Sequence, residues 1–89
     1  MRGLKIKIYG DVQGVGFRYE AKIVADKLGI KGFARNENDG TVHIEAEGEE
    51  KDLEKFLEWC RKGPYSARVA KVDFEFGDKP RGFPEFRVE

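Results

Sequence analysis

The residues best suited to chemistry lie in one short stretch, Gly10-Asp11-Val12-Gln13-Gly14-Val15-Gly16-Phe17-Arg18. Glycines at 10, 14 and 16 let the backbone curl, and the consecutive N–H groups of such a loop point inward as a nest for an anion. The unpaired donors of a helix beginning just after the loop add to that nest. Arg18, in the first turn of such a helix, can grip the same anion through two parallel hydrogen bonds, a fork that Lys cannot copy. The alternative reading is a glycine-rich turn with an arginine on the surface. The segment is not a Walker loop, since no Gly-Lys-Ser or Gly-Lys-Thr follows it. Gly14-Val15-Gly16 also lacks the third glycine of a dinucleotide fingerprint.

Other reactive residue types offer less. Cys60 falls on the apolar stripe of a helical pattern and reads as a buried thiol, not a nucleophile. Arg61-Lys62-Gly63, which follows it, does not supply a phosphatase loop. His43 sits on the outward phase of a strand pattern and reads as a solvated cross-strand partner. Glu45 and Glu47 share that phase and, with Glu49 and Glu50, read as a solvated edge. One His and one Cys cannot build a Cys/His zinc cage, and the expectation is that the chain uses no metal and no cofactor. A site that only positions and neutralises charge suits an already reactive substrate. A carboxylic–phosphoric anhydride is such a substrate, because its leaving group is a stable carboxylate.

The elements that must hold this loop can be read from periodicity. Leu4, Ile6 and Ile8 alternate with Lys5, Lys7 and Tyr9 as a half-buried strand leading into the loop. Phe17, Ala21, Val24, Ala25 and Leu28 then form a helical stripe, stopped by Gly29. The chain is extended again from about Gly32 to Asn36, and Glu37-Asn38-Asp39-Gly40 is a hairpin turn. By its neighbours alone, Asn36 reads as a turn residue. Val42, Ile44 and Ala46 mark the return strand, ended by Gly48. Leu53, Phe56, Leu57 and Cys60 form a second helical stripe, broken by Gly63-Pro64. Ala70, Val72, Phe74 and Phe76 mark a fourth strand, and a loop from Gly77 to Gly82 leads to a short last strand through Phe86 and Val88. The order predicts one α+β domain over residues 1–89. Its expected architecture is a ferredoxin-like βαββαβ sandwich, an antiparallel sheet with two helices on one face and a short extra C-terminal strand. That fold hosts many functions and decides none of them.

Composition narrows the classes further. The chain has 89 residues, 17 Lys plus Arg against 17 Asp plus Glu, and a formal net charge of zero, which removes the simplest case for nucleic acid or an anionic membrane. No run approaches the roughly 20 apolar residues of a membrane span, and the charged, alternating opening Met1–Gly10 is not a signal-peptide core. A cytoplasmic location is expected. Ser and Thr occur once each while Lys and Glu abound, a balance that points to a thermostable protein.

Two motifs resemble a known family. Ile8-Tyr9-Gly10-Asp11-Val12-Gln13-Gly14-Val15-Gly16-Phe17-Arg18 is similar to the first acylphosphatase signature at every constrained position. Gly32-Phe33-Ala34-Arg35-Asn36, followed by Gly40-Thr41-Val42 and Gly48, is similar to the second. Gly63-Pro64 and Ala67-Arg68-Val69 extend the likeness over nearly the whole chain. The resemblance implies metal-free hydrolysis of small acyl phosphates to carboxylate and orthophosphate, with no covalent intermediate. It implies that Arg18 binds the phosphate together with the loop amides of Gln13, Gly14, Val15, Gly16 and Phe17. It also implies that Asn36 positions the attacking water, a task suited to a neutral amide that both donates and accepts hydrogen bonds. A monomer is the expected state.

Two rival readings share the topology. An RNA-binding module is suggested by Lys31-Gly32-Phe33-Ala34, which reproduces the start of the RNP1 consensus. Arg35 and Glu37 then stand where aromatic residues would stack bases, and the segment is on the second strand instead of the third. The other rival is an idle anion sensor, or an accessory module of a larger enzyme. The end of the chain at Glu89 without a linker, together with Asn36, favours a free-standing enzyme.

Overall fold

The alternating and helical patterns become the elements they predict. The computed structural model, which describes residues 1–89, runs β1 (Arg2–Asp11), α1 (Phe17–Lys27), β2 (Lys31–Asn36), β3 (Val42–Gly48), α2 (Glu50–Lys62), β4 (Arg68–Gly77) and β5 (Phe86–Val88). The strands form one sheet in the order β4-β1-β3-β2-β5. Leu4, Ile6 and Ile8 pair with Ala46, Ile44 and Val42, so one apolar face runs across the two central strands. Both helices cover that face. Phe17, Ala21 and Ala25 of α1 and Leu53, Phe56, Leu57 and Cys60 of α2 are buried against it. Phe17 packs edge-on against Trp59, with ring centroids 5.3 Å apart, and Phe56 does the same against Phe86 at 5.9 Å. Cys60 is completely buried, and desolvation pushes its thiol far above the ordinary range, as expected for a packing residue.

Three features depart from the sequence reading. The first is at the end of β1, which continues to Asp11 instead of yielding to the loop at Gly10. The register with β4 slips between Tyr9 and Gly10: Tyr9 pairs with Lys71 but Gly10 with Val69, leaving Ala70 as an extra residue. This bulge in β4 turns Val69 onto the core and Ala70 outward, opposite the point where β1 leads into the loop. Gly10 is required there. Its φ is +127°, and a Cβ would stand 2.1 Å from the Arg68 carbonyl oxygen.

The second departure is in the sheet itself, which is mixed. The four strands β4-β1-β3-β2 are antiparallel as expected, but β5 is parallel to β2. The reason lies in the segment from Asp78 to Glu85. Gly77 ends β4 beside Gly3, and β5 begins beside Gly32, so the chain crosses to the opposite edge before turning back along β2.

The third departure follows from that crossing. Glu47 is only 4% exposed, because the crossing segment lies over the face away from the helices. Its carboxylate accepts hydrogen bonds from the main-chain N–H groups of Arg81, Gly82 and Phe83. Arg81 also reaches Glu45 at 2.9 Å, and Glu45 bonds His43 at 3.0 Å. His43 and Glu45 are therefore half-buried partners, not a solvated edge. Burial raises the affinity of Glu45 for a proton, but its bonds to His43 and Arg81 outweigh that and hold its carboxyl below the usual range.

Candidate functional site

The site is built at the end of the sheet where β1, β2 and α1 meet. No residue other than glycine has a positive φ, whereas Gly14 and Gly16 have φ of +73° and +80°. The backbone from Gln13 to Phe17 thus alternates in sign at each step, the geometry that turns successive N–H groups toward one point. None of the hydrogen bonds made outside helices and strands is donated by the main-chain N–H of Gln13, Gly14, Val15 or Gly16. Gly16 is also the N-cap of α1, with no side-chain cap, so the N–H groups of Phe17, Arg18 and Tyr19 lack an intrahelical acceptor. The positive end of the helix dipole adds to the same field.

This row of donors opens into a cavity of about 240 Å³ lined by Gly14, Gly16, Phe17, Arg18, Tyr19 and Asn36. The structure therefore brings the loop, Arg18 and Asn36 to one place, although Asn36 is separated from Arg18 by α1 and β2 in the chain. Arg18 is half-buried, donates to the Glu89 main-chain oxygen and lies 5.7 Å from the centre of the Tyr19 ring. The side-chain oxygen of Asn36 is buried and has no hydrogen-bond partner. A buried acceptor left unpaired costs roughly 1–3 kcal/mol. Few native groups are left so, and Asn36 lines the same cavity as Arg18 and the loop glycines.

Sequence reasoning missed the residues that brace this constellation. The Gln13 amide nitrogen donates to the carbonyls of Glu37 and Thr41, at 2.7 and 2.9 Å, on either side of the β2–β3 turn. Ser66 donates to the Val15 carbonyl at 2.9 Å, tying the middle of the loop to the segment after α2. The turn is fixed from its far side by Asp39, which accepts from the Thr41 hydroxyl and N–H and pairs with Lys7 at 3.0 Å. No local pattern announces these contacts, since Gln13 and Ser66 carry no periodic signal.

The hydrogen bond from the Thr41 hydroxyl, then those from Lys7 and the Thr41 N–H, hold the Asp39 carboxyl well below the usual carboxylate range. A depressed folded-state pKa contributes stability that is present above the unfolded value of about 3.9 and is lost as pH falls below it. Acid is therefore expected to loosen the turn. Denaturant midpoints measured from about pH 5 down to about pH 2 should fall less steeply in Asp39→Asn than in the parent.

A larger cavity of about 480 Å³ lies elsewhere, on the sheet face away from the helices, among Lys5, Glu45, Glu47, Asp78, Arg81 and Phe83. Its central carboxylates are already matched by Arg81 and the main-chain donors of the crossing segment, so it offers no comparable set of free groups. No group of three or more His, Cys, Asp and Glu side chains is arranged to hold a metal, and no helix is long and apolar enough to cross a membrane.

Comparison with known proteins bears on the family and the fold. A family model described as Acylphosphatase matches residues 4–88. A Thermotoga maritima protein named Acylphosphatase is 46% identical over 89 residues, covering 100% of this chain and 98% of the relative. One from Thermococcus kodakarensis, of the same name, is 42% identical over 93% of this chain and 90% of its own. The crystal structure of acylphosphatase from Bacillus subtilis superposes with a TM-score of 0.97 at 35% identity, covering 100% of this chain and 99% of that one. The chain belongs to the acylphosphatase family, hydrolases of the acid-anhydride bond of acyl phosphates.

Proposed function

We propose that the chain hydrolyses acyl phosphates by direct attack of one positioned water on phosphorus, without a metal. In this reading the main-chain N–H groups of Gln13, Gly14, Val15, Gly16 and Phe17 surround the phosphoryl oxygens, and Arg18 clamps them through its guanidinium. Asn36 orients the water through its amide. The water oxygen forms a new bond to phosphorus while the bond from phosphorus to the acyl oxygen breaks, and the carboxylate leaves with that electron pair. One water proton stays on the new P–OH and the other passes to a phosphoryl oxygen, so the products are a carboxylate and dihydrogen phosphate. An amide cannot act as a strong base, and none is required, because the leaving group is stable and the phosphoryl group takes the proton.

The observation that carries this reading is that Asn36, whose side-chain oxygen is buried without a partner, lines the same cavity as Gly14, Gly16 and Arg18. Positive charge comes from Arg18, the oriented amides and the helix N-terminus, which is the kind of preorganised field that stabilises a loose phosphoryl transition state. The substrate is read as a small acyl phosphate and the protein as a cytoplasmic, thermostable monomer without nucleic-acid or membrane partners. Burial of Phe33 to 7% exposure beneath Phe83 supports the absence of a base-stacking platform. The test is hydrolysis of a simple aryl acyl phosphate in excess chelator. Undiminished turnover, with inorganic phosphate competing for the site, is expected; activity that chelator abolishes and a divalent cation restores would overturn the metal-free reading.

A further inference from the structure

Resting on the reading of Asn36 as the water-orienting group, we propose that the Gln13 side chain is a positioning residue that sets the distance between the anion nest and Asn36. Gln13 belongs to the loop, yet its side chain turns away from the loop's own donors. Its amide nitrogen spends both hydrogens on the Glu37 and Thr41 carbonyls, and Glu37 follows Asn36 directly in the chain. No other side-chain hydrogen bond joins the segment from Gln13 to Phe17 to the β2–β3 turn, since Ser66 ties it instead to the region after α2.

The contact is not needed to close the turn. Glu37 carbonyl also accepts from the Gly40 N–H at 3.1 Å, and Thr41 carbonyl from the Glu37 N–H at 2.9 Å. Removing the Gln13 amide therefore leaves no carbonyl without a partner, and Asp39 with Lys7 and Thr41 still holds the turn from its other side. What is lost is the register between two separate pieces of the site. A water held by Asn36 must meet a phosphorus held by the nest, and a displacement on the order of 1 Å between such groups can cost about 100-fold in rate.

The variant to make is Gln13→Met, which keeps the length of the side chain and removes its donors. Turnover is measured with an aryl acyl phosphate, and affinity for inorganic phosphate by competition, in the parent, Gln13→Met, Asn36→Ala and the double variant. Gln13→Met is expected to lower kcat by about 10- to 100-fold with phosphate affinity changed less than about threefold. In the Asn36→Ala background the same change should cost less than about twofold in kcat, because the group it aims is gone. An equal loss of kcat in both backgrounds, a loss of phosphate affinity matching the loss of kcat, or full kcat in Gln13→Met would overturn the proposal. If Asn36→Ala alone keeps full turnover, it is the reading of Asn36 that fails. Gln13→Leu, judged by the same outcomes, replaces Gln13→Met if the latter does not fold.

Discussion

Asn36→Ala is expected to lose roughly 100- to 1,000-fold in kcat while still binding inorganic phosphate at close to parent strength. The magnitude is that of one preorganised transition-state hydrogen bond, about 2.7–4 kcal/mol. The split follows from position. Asn36 ends β2 and borders the cavity, whereas the groups proposed to hold phosphate belong to the loop and α1, on a different segment. Removing the amide leaves that cradle intact. It also relieves a buried oxygen that has no partner in the fold, so stability should hold or rise slightly. Steady-state kinetics with phosphate as competitor, beside a thermal midpoint, checks all three statements. Phosphate affinity falling in step with kcat would place Asn36 on the phosphate itself.

The second large effect is expected from Arg18→Ala, and it should strike both binding and turnover. Two parallel bonds from a guanidinium to a charged phosphoryl group contribute roughly 1.5–3 kcal/mol each. Their loss corresponds to roughly 100- to 20,000-fold in kcat/KM, with phosphate competition weakened as well. Arg18→Lys keeps the charge but not the fork, so it should recover only part of the loss. Arg18 is half-buried and meets only the main-chain oxygen of Glu89 and the exposed Tyr19 ring, so the fold should tolerate both changes. Phosphate bound by Arg18→Ala as tightly as by the parent would refute this assignment.

How much of this was legible in the sequence depends on the range of the interactions. The apolar stripes of α1 and α2 and the alternation of β1 are set by residues a few positions apart, and they form as read. The loop was legible because its glycines must adopt backbone angles that other residues avoid, a demand visible in the chain itself. Asn36 was not legible in that way. From its neighbours it is a turn residue, and only the family resemblance gave it a role; the orphaned oxygen that supports the role is a property of three-dimensional packing.

The misreadings share one cause, which is contact between distant segments. Glu47 alternates correctly as an outward residue of β3, but the chain 34 residues later crosses that face and wraps its carboxylate in N–H donors. The same crossing delivers β5 to the far edge in the direction of β2, so the sheet is mixed although every local signal is compatible with an antiparallel one. Ala70 continues an apolar alternation in sequence, yet the bulge opposite Tyr9 and Gly10 hands its inward place to Val69. Gln13 is the sharpest case. Its main-chain amide could be read as part of a nest, while its side chain bridges to carbonyls 24 and 28 residues away.

Where the water attacks is the claim on which the whole account depends, and isotope transfer reads it directly. A single turnover of an acyl phosphate in water enriched in oxygen-18 should place the label in orthophosphate and none in the carboxylate. That result means the phosphorus-to-acyl-oxygen bond broke, as the proposed attack on phosphorus requires. Label recovered in the carboxylate would mean attack at the acyl carbon, and the roles given to the loop, Arg18 and Asn36 would have to be abandoned.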